Sequence, residues 1–287
     1  MIPAQFEYHA PKSVREAIQL LTSLPDAKLL AGGHSLLPIM KFRLATPPHL
    51  IDLGRIQDLR YVKAEGATLT IGAMTTHWMI ESSPVVHAKL PVLAQTAGLI
   101  GDIQVRNAGT IGGSLAHADP AADYPATMLA LECTMLTEGA GGKRTIKAGD
   151  FFKGLMTTAL KPDEILMEVR APLLRPRSGG AYLKFAHPAS GFAVVGVAAV
   201  VSLDGKDVCQ QARVGVTGVA PVAYRARATE DLLKGKTLSD DVIASAAQKA
   251  AEGVDANEDL FASADYRRHL ARVFAKRAIH AALKQVQ

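Results

Sequence analysis

The sequence predicts an α+β protein whose 287 residues divide into two or three compact units rather than one, with breaks near residues 54 and 177. Three observations carry that expectation. Two Gly-Gly loops, at Gly32-Gly33 and Gly112-Gly113, interrupt strand and helix patterns. The stretch Glu138-Gly139-Ala140-Gly141-Gly142 separates two apolar runs as a hairpin turn does. After Arg175-Pro176-Arg177-Ser178-Gly179-Gly180 the pattern changes to long Val-rich strands and then to helix.

Taken in order, Ser13-Val14-Arg15-Glu16 is a capping box that opens a helix with Val14, Ala17, Ile18 and Leu21 on one face, ended by Pro25. Lys28 to Ala31 reads as a strand leading into the first glycine loop. Leu36 to Leu44 reads as helix and His49 to Leu53 as strand, which completes a unit over residues 1–54. In residues 55–177, Thr68 to Ile71 alternates as a strand, and Leu90 to Ile100 has helical spacing. A helix begins at Pro125, the hairpin strands are Cys133 to Thr137 and Arg144 to Lys147, and Glu164 to Val169 is a further strand. Residues 178–287 open with three strands, Ala181 to Phe185, Phe192 to Leu203 and Val208 to Val216, with a turn at Asp204-Gly205. Ser239 caps a helix over Asp240 to Gly253. A last helix from about Ala264 carries Tyr266, Leu270, Val273, Phe274, Ala278 and Ala281 on one face.

Composition narrows the function. The net charge is +5, but the basic residues are scattered and aromatics make up only 5%, which argues against nucleic acid and fits docking onto an acidic partner. The longest apolar run, Ala193 to Val201, is too short to span a membrane. The first residues have neither a basic start nor an apolar core, so the expected location is the cytoplasm. Cys133 and Cys209 sit in apolar stretches and read as buried thiols. Without a Cys-x-x-Cys the chain holds no four-cysteine cluster of its own.

The chemistry concentrates at the loops. Glycines at such places let backbone amides approach an anion, and two loops suggest a pyrophosphate held from two sides. Either loop alone is equally well read as a tight turn. Neither is a Walker sequence and neither has the Gly-x-Gly-x-x-Gly form. His34, His77 and His117 lack metal-ligand spacing and read as bases, donors or locally bonded side chains. Asp119 suits a helix cap, and Asp123 suits a sugar hydroxyl. Ser35 stands where a hydroxyl meets a phosphate. No Ser-His-Asp set or Gly-x-Ser-x-Gly is present, which disfavours nucleophilic hydrolysis.

Ala31-Gly32-Gly33-His34-Ser35-Leu36-Leu37-Pro38 and Thr110-Ile111-Gly112-Gly113-Ser114 resemble the two flavin-binding loops of the medium subunit of molybdenum hydroxylases, the group that includes carbon monoxide dehydrogenase and xanthine dehydrogenase. The opening Met1 to Ser13 and Gly72-Ala73-Met74-Thr75-Thr76 resemble the same subunits, so the likeness runs along essentially the whole chain. It implies the two-subdomain FAD-binding fold of the PCMH, or vanillyl-alcohol-oxidase, type, closed by a C-terminal α+β domain with a three-stranded antiparallel sheet and helices.

The resemblance also implies roles. Ala31, Gly32, Gly33, His34, Ser35 and Leu36 form the first cofactor loop, with Leu37 near the adenosine half. Thr110, Ile111, Gly112, Gly113, Ser114 and His117 form the second, against phosphate and ribityl. Asp123 bonds sugar or ribityl hydroxyls, Leu166 packs near a ring system, and Lys184 sits near the isoalloxazine, where its charge favours the reduced anion. Such a chain carries FAD and no catalytic residue or metal of its own. It passes electrons from the 2Fe-2S clusters of a small subunit to an external acceptor, while a molybdopterin-binding large subunit oxidises the substrate, in a dimer of heterotrimers. Two alternatives from other classes are a stand-alone FAD oxidoreductase of the same fold and a nucleotide-binding module without redox turnover. The chain departs from the pattern at Ser114, where many members have Asn, and along Lys184 to Phe192, which differs from the form of the carbon monoxide oxidisers.

Overall fold

The computed structural model describes residues 1–286. The first unit alternates strand and helix: β1 (Glu7–His9), α1 (Val14–Ser23), β2 (Lys28–Leu30), α2 (Leu36–Lys41) and β3 (His49–Asp52). Its three strands are parallel, in the order β1-β3-β2. Ser13 Oγ accepts from the Glu16 amide, so α1 starts where the capping box put it. The Glu16 carboxylate reaches back to the Lys12 amide rather than to Ser13. Ala17 is fully buried, with Val14, Ile18 and Leu21 packed beside it. The helix expected to reach Leu44 stops at Lys41, because Arg43 takes a left-handed conformation (φ 57°).

Two short 3-10 turns, Leu53–Arg55 and Gln57–Leu59, lead into the middle unit. It comprises β4 (Val62–Glu65), β5 (Thr68–Gly72), the helices α3 (His77–Glu81), α4 (Pro84–Lys89), α5 (Pro91–Gly98), α6 (Ile103–Ala108), α7 (Ile111–His117) and α8 (Tyr124–Ala130), then β6 (Thr134–Gly139), β7 (Gly142–Lys147), α9 (Ala148–Phe151), a small hairpin of β8 (Phe152–Gly154) and β9 (Thr157–Thr158), and β10 (Ile165–Pro172). The large sheet is antiparallel, in the order β4-β5-β10-β6-β7, and the helices pack a continuous apolar core against it. The glycine-rich hairpin forms as expected: Gly139 pairs with Gly142, and Gly142 has φ +99°, a conformation side chains avoid.

The last unit is an antiparallel sheet of β11 (Ser178–Ala186), β12 (Ala193–Leu203), β13 (Cys209–Thr217) and β14 (Tyr224–Arg225), with α10 (Arg227–Leu233), α11 (Asp240–Ala247) and α12 (Ala264–Lys284). The sheet therefore has four strands, not the three expected. The fourth is two residues long, too short for a period to register. The Ser239 cap forms, but α11 ends at Ala247 rather than running on to Gly253. The buried stripe of α12 is Arg267, Leu270, Ala271, Phe274, Ala275, Ala278, Ile279 and Ala282. It differs from the predicted face because an arginine stands at a core position, and Tyr266 is exposed. Arg267 Nη1 donates to the carbonyls of Val194 (2.7 Å) and Gly218 (2.8 Å), and Nη2 bonds Asp259. That buried guanidinium ties α12 to the ends of β12 and β13. Both cysteines are buried and free, and burial raises both thiols, Cys209 to about 11. Among the described residues, no helix is long and apolar enough to cross a membrane.

Candidate functional site

The first glycine loop follows β2 at the C-terminal end of the parallel sheet. Gly33 has φ +76°, where an added Cβ would also lie 2.9 Å from Leu37 Cδ1. Among the described residues, the amides of Gly32, Gly33, His34 and Ser35 donate to no group of the chain. Ser35 occupies the N-cap position of α2 without a capping hydrogen bond, so its hydroxyl is also uncommitted. Leu36 opens α2, and Leu37 is partly exposed beside the loop. Four successive unpaired donors at one bend are the backbone arrangement that suits an anion, because ordinary backbone donors in a fold are paired.

The second loop is built differently. Thr110 Oγ1 caps α7 by accepting from the Gly113 amide at 3.1 Å. The Ile111 amide donates to Thr75 O (3.1 Å), the Gly112 amide to Ala73 O (2.9 Å) and the Ser114 amide to Thr110 O (3.0 Å). These donors are spent inside the fold, so the run of free backbone amides lies at the first loop and not at the second. Gly112 and Gly113 lie in the first turn of α7, not ahead of it. Ile111 is fully buried, and a Cβ on Gly112 would meet Ala73 Cβ at 2.5 Å. Both residues seat α7 on the middle sheet. Ser114 and His117, three apart and half-buried, are what this helix presents.

The loops meet each other. A Cβ on Gly32 would collide with the Ala108 carbonyl and lie 2.6 Å from Gly109 Cα, and one on Gly113 would lie 3.3 Å from the Ala31 Cβ. Three glycines of the two motifs are thus explained by close approach of protein to protein. Beneath the seam lies His77, whose backbone amide donates to Gly109 O and whose Nδ1 is 3.3 Å from the Tyr124 hydroxyl. Burial, with help from His34 and Arg106, lowers the His77 imidazole to about 4, so it is neutral at physiological pH.

Beyond α7, Asp119 Oδ1 accepts from the Ala121 amide, in a turn rather than as the cap of α8. The segment is stitched to the last unit: Thr217 Oγ1 donates to Pro120 O and Ala122 O, and the Ala193 amide donates to Ala121 O. Asp123 is buried there with two partners from β11. The Tyr182 hydroxyl donates to Oδ1 at 2.5 Å, and Lys184 Nζ lies 3.0 Å from Oδ1 and donates on to Gly191 O at 2.7 Å. Burial pushes the Asp123 carboxyl up, against the pull of Lys184 and the Tyr182 hydrogen bond. The lysine is therefore half of a buried ion pair, and the carboxylate is already bonded. Leu166, on β10, is packed in the core of the middle unit.

Sequence reading passed over Tyr182 and Gly196. Tyr182 and Lys184 alternate on one face of β11, and Gly196 is the cross-strand partner of Lys184. Any side chain at Gly196 would run into the Tyr182 hydroxyl. The signal was a tyrosine two residues before the lysine and a lone glycine inside the Val-rich strand.

A small parallel α/β unit whose strand β2 ends in a loop of free amides, set against an antiparallel α+β unit, is a fold suited to a phosphate-bearing cofactor. Comparison with known proteins makes this specific. The model of the FAD binding domain in molybdopterin dehydrogenase matches residues 4–174, and that of the CO dehydrogenase flavoprotein C-terminal domain matches residues 180–282. The chain is 46% identical to the carbon monoxide dehydrogenase medium chain of Hydrogenophaga pseudoflava, over 98% of both chains. It is 36% identical to the 6-hydroxypseudooxynicotine dehydrogenase complex subunit alpha of Paenarthrobacter nicotinovorans, over 100% of this chain and 97% of that one. Among solved structures it superposes on the H. pseudoflava carbon monoxide dehydrogenase that lacks the Mo-pyranopterin moiety of its cofactor, with TM-score 0.96 over 100% of both chains. It also superposes on quinoline 2-oxidoreductase from Pseudomonas putida 86, with TM-score 0.93 over 99% of both chains and 36% identity. The chain belongs to the family of FAD-binding subunits of molybdopterin dehydrogenases.

Proposed function

We propose that this chain is the FAD-carrying electron-transfer subunit of a heterotrimeric molybdenum hydroxylase, working beside a molybdopterin-binding large subunit and a small subunit with 2Fe-2S clusters. The observation that carries the reading is the run of unpaired amides at Gly32, Gly33, His34 and Ser35, a donor set that fits a pyrophosphate. The Ser35 hydroxyl adds a fifth donor, and Leu37 offers apolar surface for the adenosine half. Ser114 and His117 of α7 face the cofactor from the second side. When bound, FAD supplies redox chemistry in one- and two-electron steps. The chain's own residues bind and orient it. The Asp123–Lys184 pair fixes the turn between β11 and β12 through Gly191 O, at the end where the last unit closes over the site.

The division of labour follows from the cysteines. Two buried thiols, one just ahead of β6 and one on β13, cannot ligate a 2Fe-2S centre, which takes four cysteines, so the clusters lie on a partner. The proposed assembly is a dimer of heterotrimers in the cytoplasm. The test is the visible spectrum of the purified chain after incubation with FAD and removal of free ligand, with the mass of the native complex measured alongside. About one flavin per chain, and a complex with two copies each of three subunits, are the expected results. A native complex without flavin on this chain would overturn the proposal.

A further inference from the structure

We infer that Glu7, His9 and His49 form a binding site for one divalent transition-metal ion of the Zn2+ class, which clamps the N-terminal strand to the parallel sheet. The three residues come together by register. Glu7 and His9 are two apart on β1 and share a face, and His49 pairs with Glu7 across the β1–β3 ladder. His9 Nε2 lies 3.4 Å from His49 Nδ1. Glu7 Oε2 lies 3.3 Å from His49 Nδ1 and 3.9 Å from His9 Nε2.

These separations match ligands around one ion. The nearest point equidistant from the three atoms, in their plane, is about 2.1 Å from each, the usual Zn–N and Zn–O bond length, and a small swing of the exposed Glu7 carboxylate closes the widest separation, 3.9 Å, to the roughly 3.4 Å of tetrahedral ligands. The imidazoles do not stack; their planes are tilted by 50° with ring centroids 5.5 Å apart, as when two rings aim nitrogens at a common centre. One proton shared between the facing nitrogens satisfies at most one contact of the three, whereas a cation satisfies all three lone pairs at once. Two imidazoles and a carboxylate suit borderline metals and not Mg2+ or Ca2+, which prefer all-oxygen sites. The Glu7 side chain is 73% exposed and the histidines 23% and 17%, so an ion can enter and a water can complete the coordination.

The site also has work to do in the fold. Among the described residues β1 is a three-residue edge strand, paired only with β3. A metal bridging β1 to His49 would hold the first ten residues on the sheet more firmly than its few ladder hydrogen bonds. The cluster lies at the start of β3, whereas the cofactor loop follows the end of β2, which runs parallel to it. Metal and flavin are therefore separable in experiment.

The test uses the full-length chain, free of any affinity tag and stripped with chelator, titrated with Zn2+ alone by equilibrium dialysis. One ion per chain with a micromolar or tighter Kd is expected. Glu7→Gln should weaken binding roughly tenfold, and the His9→Gln/His49→Gln double variant should weaken it by roughly a hundredfold or more, with unchanged flavin content. Co2+ in place of Zn2+ should give the intense visible bands of a four-coordinate centre, lost in the double variant. Failure of the wild-type chain to bind Zn2+ more tightly than the folded double variant, or pale six-coordinate Co2+ bands in both, would overturn the inference.

Discussion

Replacing Lys184 by Met removes the charge while keeping most of the stem. Lys184 and Asp123 are each only 5% exposed and 3.0 Å apart, so the variant strands a carboxylate with the single hydroxyl of Tyr182. Removing one partner of such a pair costs about 3–5 kcal/mol. For a protein of this size that corresponds to a fall in melting temperature of roughly 6–20 °C. The loss depends on pH. Burial already holds the Asp123 carboxyl above its ordinary value, and removing the lysine raises it further. A carboxyl raised on folding costs nothing below its unfolded value and progressively more as pH rises through the folded one. The gap between variant and wild type should thus be widest near pH 8 and shrink toward pH 4.5. The Asp123→Asn/Lys184→Met double variant, which leaves a neutral amide for Tyr182, should recover more than half of the loss. Urea unfolding at both pH values measures all three proteins. A Lys184→Met protein within 1 kcal/mol of wild type at pH 8 would refute the reasoning and return Lys184 to the simpler role of a free charge tuning the flavin.

Gly33→Val places a β-branched residue at φ +76° against Leu37, and should cut bound FAD at least tenfold in a protein whose circular dichroism is unchanged; normal flavin content would remove the loop from the site. Gly196→Ala pushes a methyl into the Tyr182 hydroxyl and should cost about 1–3 kcal/mol in urea unfolding, and an unmoved midpoint would mean that the hydroxyl is not held there. The His77 imidazole at about 4, against an ordinary 6.5, contributes about 3 kcal/mol that is present above pH 6.5 and lost as pH falls toward 4. His77→Gln should flatten the stability profile across that window, and an unaltered slope would place the titration elsewhere.

What was legible in the sequence was whatever a local pattern encodes. The Ser13 and Ser239 caps, the Gly139–Gly142 hairpin and the Val-rich β12 all depend on neighbours within a few residues, and all formed. What escaped was set by partners far away in the chain. The strands β1, β4 and β14 have two to four residues each, and pairing rather than periodicity defines them. The buried stripe of α12 was misread because Arg267 reads as a surface residue until the carbonyls of Val194 and Gly218 are brought to it.

The glycine motifs show the same division within a single site. Both loops look alike as strings, and the family resemblance treats them as a pair. Their backbones do opposite things. At Gly32 to Ser35 the amides are left unpaired, and at Ile111 to Ser114 every amide is consumed by Thr75, Ala73 or Thr110. A Thr-x-x-Gly at Thr110 already carries the reason, since a threonine side chain that caps a helix takes the donor a phosphate would otherwise use. Gly112 and Gly113 are then small because α7 must press against Ala73 and Ala31. On the proposed reading the first loop is the one with donors to offer an anion, while the second offers a rigid wall with Ser114 and His117 on it. Lengthening Gly113 should accordingly open the seam between the units before it disturbs any phosphate contact, whereas Gly33 acts directly on the cradle.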